Sequence, residues 1–321
     1  CEYRDRSKPF SGKVQGWNDK KYSSRDVRDD RSIWQCPDYD TLPDGMFKTG
    51  SEYPVLFHKR GVLWKADLNF PCECAKTAYS GGNWTFKLEM SKRIIDAKIR
   101  NQVVVLRRYA RGRDEDIHRM IIEMQNMQKK LPYAKSVEQV MGYEGTAAKI
   151  YFKVLGKLID EQFVFEGRSR RPPMDPFNSL ISLGYSIILN ELYGKIEGKG
   201  LNPYFGVMHK DREKHPTLAS DLMEEWRAVL IDTTALSMLN GHELVKEDFY
   251  TGIDQPGVFL EKDGFRKYIQ KLEGKFRTEN KYLSYIDYSV SFRRAMDLQV
   301  NQFVKAIETE NVEEYMPVII R

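Results

Sequence analysis

The chain has 321 residues, of which 41% are hydrophobic and 30% charged, and a net charge of +5. This length allows two domains and a sizeable core, and the composition is typical of a globular protein. No run approaches the roughly 18–20 apolar residues that a membrane-spanning helix needs, and the charged start of the chain lacks the apolar stretch of a secretory signal. All four cysteines lie in the first quarter, without the spacing of a zinc site. We therefore expect a reduced, cytoplasmic protein without a membrane segment.

Residues 1–82 differ in composition from the rest of the chain. They are rich in Asp, Arg, Ser, Gly and Pro, and show no sustained helical or strand period. Only Tyr53–His58 and Gly61–Trp64 read as short strands. The sequence therefore predicts a divergent or disordered N-terminal segment with a few short strands, followed by a helical domain over 83–321.

The helical domain is predicted from apolar residues that recur at a period of about 3.6. In chain order the predicted helices cover 84–106, 115–130, 136–158, 178–193, 216–239, 263–276 and 283–308. The proline- and arginine-rich stretch 166–176 is predicted to be a loop, and a glycine-rich loop over 194–203 should end the 178–193 helix. Residues 245–260 are turn-rich and fit a short hairpin. The expected fold class is therefore mainly α.

Basic residues are concentrated between Lys87 and Arg113, where nine Lys or Arg stand against two acidic residues. Such a local excess suits the binding of phosphate groups. A solvent-exposed helix face would give the same pattern, so both explanations remain open.

Two stretches carry acidic residues next to apolar or small ones. In the helix predicted around residues 143–152, Glu144 shares a face with small residues and an aromatic, where a carboxylate needs a partner. In the helix after Pro216, Asp221 and Glu224 border an apolar stripe, and His209 closes the apolar run before it. The alternatives are a glutamate near a helix N-terminus and an acidic helix that faces solvent.

Taken together, Glu144, His209 and Asp221 form a set of carboxylates and one imidazole from three segments of the helical domain, with Glu224 beside them. Mg²⁺ and Mn²⁺ prefer oxygen ligands and accept an imidazole. The chemistry that suits such an ion is cleavage or transfer of a phosphodiester. His215 is a weaker candidate, because it directly precedes Pro216 in a connecting loop.

Several ordered motifs resemble the CRISPR-associated spacer-acquisition integrase, the larger protein of CRISPR adaptation and antiviral defence. The motifs are Ala97–Gln102, Glu144–Phe152, Arg168–Tyr185, Gly206–His209, Ser220–Arg227 and Tyr315–Pro317. The resemblance covers about residues 83–321. It implies a C-terminal all-α catalytic domain, preceded here by the small β-containing or poorly ordered N-terminal segment.

The resemblance also implies a function and a set of functional residues. It places the catalytic and metal-binding triad at Glu144, His209 and Asp221, with Mg²⁺ or Mn²⁺ as cofactor. Site support is expected from Glu224, Asn178 and Tyr185. Contacts to the DNA backbone are expected from six basic residues: Lys92, Arg93, Lys98, Arg168, Arg170 and Arg171.

The activity implied is a metal-dependent DNA endonuclease and integrase that inserts short duplex DNA into a CRISPR array by transesterification of its 3′-hydroxyl ends. The implied partners are double-stranded DNA (prespacer and CRISPR repeat), a second copy in a homodimer, and the small second adaptation protein. A non-catalytic DNA-binding scaffold and a transposon-borne integrase remain alternatives. Family members begin with a β-rich dimerisation domain, whose alternation residues 1–82 lack; a frame shift in the gene near codon 80 is one hypothesis for this difference.

Overall fold

The computed structural model describes strands 55–58 and 61–65 by their backbone, together with residues 84–112, 115–210, 215–252, 256–281 and 283–320. The two early strands, β1 (Val55–His58) and β2 (Gly61–Lys65), pair antiparallel, which confirms both predicted strands. The rest of the predicted N-terminal segment lies outside the described residues, and the domain boundary at residue 82 stays a prediction. No helix within the described ranges is long and apolar enough to cross a membrane.

The described part of the chain is mainly helical, as predicted. Its helices are α1 (Trp84–Tyr109), α2 (Glu115–Lys130), α3 (Val137–Gly156), α4 (Pro176–Gly198), α5 (Thr217–Met223), a π-helix (Arg227–Asp232), α6 (Thr233–Asn240), α7 (Lys262–Arg277) and α8 (Phe292–Glu308). Two short antiparallel pairs join them: β3 (Phe249–Thr251) with β4 (Val258–Leu260), and β5 (Glu279–Asn280) with β6 (Val290–Ser291). The first of these pairs confirms the predicted hairpin.

Two helix boundaries differ from the prediction. Helix α4 continues through Gly194 to Gly198, because Leu192 and Ile196 on its last turns are fully buried and their packing outweighs the low helix propensity of glycine. Helix α8 begins at Phe292 rather than near residue 283. The Ser291 side chain caps its N-terminus by accepting a hydrogen bond from the Arg294 backbone N–H, and the residues before it pair as a strand.

The predicted helix over 216–239 is interrupted after Met223. A turn at residues 224–226 leads into the π-helix, and α6 follows without a loop. A π-helix is rare and widens the turn, so the side chains before and after it point in directions that a regular helix would not give. Glu224 and Arg227 lie at this irregular point.

Helix α1 is the central element of the helical body. It packs against α2, α3 and the π-helix, and its Ile94, Ile95 and Ile99 are fully buried. Complete burial of an aliphatic side chain of this size contributes about 1.5–3 kcal/mol each. The same helix also buries polar residues, among them Lys98 and Asn101, so its buried face does more than fill the core.

A C-terminal strap, Tyr315–Ile320, is fastened to this centre by hydrogen bonds. The buried Asn101 amide donates to the carbonyls of Glu225 and Val318 and accepts from the Ile320 backbone N–H, at 2.8–2.9 Å. The Glu225 carboxylate accepts from the Tyr315 hydroxyl at 2.5 Å and from the Val318 N–H at 2.8 Å. The strap therefore joins α1 to the turn that carries Glu224.

We expect Asn101→Ala to lower the free energy of unfolding by about 2–4 kcal/mol, because three buried backbone groups lose their partner. Urea denaturation measures the change. Asn190→Ala, which alters an exposed asparagine on α4, is the control and should stay within about 0.5 kcal/mol of the parent protein. Equal, small effects of both substitutions would contradict this role of Asn101.

Candidate functional site

Asp221 is enclosed by the loop that precedes its helix. Its Oδ2 accepts hydrogen bonds from the backbone N–H groups of Val207 (2.6 Å) and Met208 (3.1 Å), and its side chain is fully buried. The loop comes this close because residue 206 is glycine: a Cβ there would lie 2.6 Å from Asp221 Oδ2 and 2.5 Å from the Thr217 methyl group. The acidic helix is therefore buried, and its interpretation as a solvent-exposed face is wrong.

His209 leaves this loop next to Asp221. Its Nδ1 lies 2.5 Å from Asp221 Oδ1, and its side chain is about one third exposed. Burial lowers the pKa of the imidazole, but the hydrogen bond and negative charge of Asp221 outweigh it, so the pKa is raised. A carboxylate on Nδ1 fixes the ring and leaves Nε2 for a ligand, as is usual for metal-binding histidines.

Glu144 reaches the same region from α3 through a lysine of α1. The Lys98 ammonium forms ion pairs with Glu144 and, at 2.6 Å, with Glu224. Arg227 adds a further cation 3.1 Å from Glu224. The three segments that carry Glu144, His209 and Asp221 thus meet, with Lys98 as the link between Glu144 and the turn after α5.

Glu144, Lys98, Glu224 and Arg227 form a charged network. Its charges depend on one another because Lys98 and Glu224 are buried. Burial favours the neutral form of Glu224, but Arg227 and Lys98 outweigh it and hold the pKa of its carboxyl well below the ordinary value. Burial likewise lowers the pKa of Lys98, and Glu224 and Glu144 more than reverse this, so that it is raised. Glu224 and Lys98 therefore both remain ionised at neutral pH.

Tyr185 supports the network from α4. Its hydroxyl donates to Asp232 at 2.6 Å, and the Arg227 guanidinium lies over its ring, 4.4 Å from the centroid. Tyr151 donates to the other oxygen of Asp232 at 2.7 Å. Burial raises the pKa of Asp232 to about 6, although the two tyrosine hydroxyls oppose the rise. Tyr185 therefore fixes Arg227, which in turn contacts Glu224.

Asn178 organises the arginine-rich loop and does not touch the charged network. Its side chain is buried, accepts from Arg168 Nη1 at 2.8 Å and donates to the Gly167 carbonyl at 2.7 Å. Arg168 is thereby held against the protein, with its guanidinium 5.6 Å from the Tyr185 ring centroid. Arg170 and Arg171 are exposed on this loop, and their contact with the DNA backbone stays a prediction.

The structure corrects the expectation for one basic residue of α1, Lys98. Lys98 is only 7% exposed and bound between two carboxylates, so it is part of the site and does not face a DNA surface. Lys92 pairs with Glu89 at 2.8 Å, and Arg93 pairs with Glu313. A DNA contact from Lys92 or Arg93 has to compete with these ion pairs.

The neighbouring acidic and histidine candidates have structural partners. Glu225 points away from Glu224 into the C-terminal strap, and burial raises the pKa of its carboxyl to about 8, although the hydrogen bonds from Tyr315 and Val318 oppose the rise. His215 contacts the Ser220 hydroxyl through Nε2 at 3.1 Å, so it stays outside the network.

Sequence reasoning did not single out Arg227, Asp232 or Tyr151. Arg227 follows Glu224 by three residues, a spacing at which helical side chains of opposite charge pair. Asp232 is a single carboxylate within an apolar run, which in a buried helix signals a bound partner. These two patterns could have been recognised. The contact of Tyr151 with Asp232 joins two helices and could not.

A divalent metal ion in this region would have to be held by the side chains around Lys98 and His209. No three His, Cys, Asp or Glu side chains of the described ranges stand in a ready-made coordination geometry. The donor chemistry nevertheless fits Mg²⁺ or Mn²⁺: Glu144 and Glu224 share one cation, and His209 keeps Nε2 available. The carboxylates of Glu144 and Glu224 need a positive charge between them, and the Lys98 ammonium supplies that charge in this arrangement.

Comparison with known proteins identifies the family. A family model described as "CRISPR associated protein Cas1" matches residues 76–274. The chain belongs to the Cas1 family. The CRISPR-associated endonuclease Cas1 of Mycobacterium tuberculosis is 34% identical over 251 residues, which are 78% of this chain and 74% of the relative. A Cas1 endonuclease of Thermus thermophilus is 35% identical over 269 residues, covering 84% and 77% of the two chains.

Solved structures share the same fold. A chain of a Cas6-RT-Cas1–Cas2 complex is 25% identical with a TM-score of 0.67, over 75% of this chain and 26% of that much longer one. A casposase bound to its integration product is 22% identical with a TM-score of 0.66, over 78% and 69% of the two chains. At that identity the likeness shows the fold alone. The Cas1 match includes Glu144, His209 and Asp221, which lie within residues 76–274.

We expect Lys98→Met to lower the free energy of unfolding by about 3 kcal/mol, because the buried Glu224 loses one of its two cations and Glu144 loses its partner in the ion pair. Chemical denaturation measures the loss. Lys129→Met, which alters an exposed lysine on α2, should change stability by less than about 0.5 kcal/mol. A Lys98 variant as stable as the parent protein would refute the charge balance described.

Glu225 gives a pH-dependent prediction. Its carboxyl has a pKa of about 8 in the folded chain and 4.5 as the reference value for a free side chain, so the unfolded state releases its proton first as the pH rises. The stability that this group contributes is fully present below about pH 4.5 and is lost by about pH 8. Between these values the unfolding free energy falls by at most about 1.4 kcal/mol per pH unit because of this group. We expect the unfolding free energy of Glu225→Gln to fall less steeply than that of the parent between about pH 5 and 8. Glu123→Gln, on an exposed site, should follow the parent curve, and parallel curves for all three proteins would contradict the prediction.

Proposed function

We propose that this Cas1 family member is a metal-dependent DNA endonuclease and integrase that inserts short duplex DNA into a CRISPR array. The family match supports the class of protein, and its curated relatives carry the name endonuclease. The observation that carries the proposal is a chain of contacts between three separate segments: Lys98 pairs with Glu144 and with Glu224, which follows Asp221 by three residues, and His209 contacts Asp221.

The ion that we propose is Mg²⁺ or Mn²⁺, held by Glu144, His209 and Asp221. Glu144, now paired with Lys98, and the Nε2 atom of His209 would supply two donors. Asp221, which holds His209 Nδ1, would supply a third if one of its oxygens were released to the ion. When bound, such an ion lowers the pKa of the attacking hydroxyl and neutralises the charge that develops on the phosphate.

The reaction is a transesterification. The 3′-hydroxyl oxygen of the incoming DNA forms a bond to a phosphorus of the target strand, the bond from that phosphorus to the target 3′-oxygen breaks, and the proton of the attacking hydroxyl passes to the departing oxygen. Lys98 and Arg227 contribute fixed positive charge beside the carboxylates, and Tyr185 holds Arg227 in place. Fixed charge of this kind needs no reorganisation as the reaction proceeds.

The assembly that we propose is a homodimer bound to the small second adaptation protein, Cas2, and to double-stranded DNA of the prespacer and the CRISPR repeat. Two similar solved structures are Cas6-RT-Cas1–Cas2 complexes. Exposed Arg170 and Arg171 on the loop after α3 are the best-placed backbone contacts, and Lys92 and Arg93 can join them if their ion pairs exchange.

Two alternatives differ in measurable ways. A non-catalytic scaffold would bind DNA without joining it. A transposon-borne integrase would join DNA to targets without CRISPR repeats; the likeness to the casposase concerns the fold and does not favour that target choice.

The activity test is joining of a labelled duplex to a supercoiled plasmid that carries a CRISPR repeat, with Cas2 present. We expect joining with Mn²⁺ or Mg²⁺, none after removal of the ion by EDTA, and a loss of at least about 100-fold for Asp221→Ala or Glu144→Gln. Glu123→Gln is the matched control, since it removes the same charge from an exposed position on α2, and it should join normally.

The outcomes separate the candidate functions. Joining without a divalent ion, or full activity of the Asp221 variant, contradicts the mechanism. Binding without joining under all conditions supports the scaffold, and equal joining to plasmids with and without the repeat supports the transposon-type integrase. Calorimetry with Mn²⁺ alone provides a second readout, in which Glu144→Gln should lose the binding heat that Glu123→Gln retains.

A further inference from the structure

A second basic region lies away from the Glu144 network, in a cleft of about 830 Å³. Its walls come from the end of α1, from the π-helix and α6, and from α7 with the residues that follow it. Four cationic residues line it: Arg108, Lys271, Lys275 and Lys281. No Asp or Glu is among the described residues that form its walls. None of the residues assigned to catalysis or DNA contact lines it.

The positive charge of this cleft is only partly balanced. Lys271 pairs with Glu243 at 2.6 Å and Lys281 with Asp287 at 3.5 Å, both at the surface, where such pairs contribute little. Lys275 is half-buried and forms no salt bridge with a carboxylate of the described residues; its ammonium lies over the Phe292 ring, 5.5 Å from the centroid. Burial, together with the positive charges of Arg108 and Lys271, lowers the pKa of Lys275.

The shape of the cleft leaves room beside that lysine. A Cβ added at Gly274, which precedes Lys275 on the cleft wall, would meet nothing within 4 Å. Gln270 and Asn280 add side-chain amides to the wall, and amides can donate to an oxygen anion without adding charge. A volume of this size admits several phosphate oxygens with their attached sugar.

We infer that this cleft binds the phosphate groups of a nucleic-acid strand, as a contact separate from the Glu144 site. The lining donates hydrogen bonds, carries positive charge and contains no carboxylate, which is the combination that a phosphate requires. Lys271 and Lys275 lie four residues apart on α7 and so face the cleft one helical turn apart. An open row of cations of this kind can follow the backbone of a strand.

The identity of the ligand as nucleic acid rests on the proposed function, whereas the phosphate chemistry belongs to the cleft itself. A free polyphosphate presents the same groups, so the test includes both. Binding is measured in EDTA, where we expect no joining reaction. The binding result can therefore be interpreted even if the proposed catalytic activity is not found.

The experiment compares the full chain with Lys275→Gln and Lys262→Gln. Lys262 begins the same helix, is exposed and lies outside the cleft, so its substitution removes the same charge elsewhere. Fluorescence anisotropy of a labelled single-stranded oligodeoxynucleotide is recorded over a range of salt concentrations. We expect Lys275→Gln to weaken binding several-fold at low salt and to reduce the slope of log affinity against log salt by about 0.7, the value for one phosphate contact of a single strand.

Calorimetry with tripolyphosphate alone completes the test, with unfolding curves to show that all variants are folded. Weaker binding of both probes by Lys275→Gln, with Lys262→Gln unchanged, supports the strand contact. Loss of tripolyphosphate binding alone supports a phosphate site whose ligand is a free anion. Equal affinities and salt slopes for the two variants, with no tripolyphosphate binding to the parent chain, overturn the inference. Gly274→Gln, which adds a neutral side chain to the cleft wall, should also weaken binding of both probes, and unchanged binding by this variant would count against the cleft as the binding place.

Discussion

The structure depends on one buried cation. Lys98 lies between Glu144 and Glu224, and so connects the central helix, the helix that carries Glu144 and the turn after α5. Leaving a charge buried without a partner costs several kcal/mol, so the three elements are held to one arrangement. The catalytic candidates are therefore positioned by electrostatic balance as much as by packing.

Around the two ion pairs of Lys98, each neighbouring side chain is held in place by contact with another. Tyr185 holds Arg227 and Arg227 contacts Glu224, while Asp221 orients His209 and is itself held by backbone N–H groups. The C-terminal strap anchors the same turn through Glu225 and Asn101. Changes in the strap can therefore alter the candidate site without contacting Glu144, His209 or Asp221, because the strap holds the turn between Asp221 and Arg227.

The corrections to the sequence-based expectations have a common physical origin. Lys98 belongs to a basic stretch, and its burial became visible only when Glu144 and Glu224 were placed on either side of it. Helix α4 runs past Gly194 because its last apolar residues are buried by other elements. The π-helix likewise places Arg227 towards Glu224 and Tyr185, which local helix propensity could not indicate.

By itself, the sequence determined what depends on local pattern and on motif. Apolar periodicity predicted the mainly helical fold and most helix positions, and the turn-rich composition of 245–260 predicted the hairpin there. The ordered motifs pointed to the Cas1 family and to Glu144, His209 and Asp221 as candidate residues. Tertiary structure alone decided which charges meet: that Lys98 is inside, that Glu225 serves the strap, and that Arg108 and Lys275 share a cleft. Such contacts join residues dozens to hundreds of positions apart, and their energies depend on burial and distance, which a linear pattern does not contain.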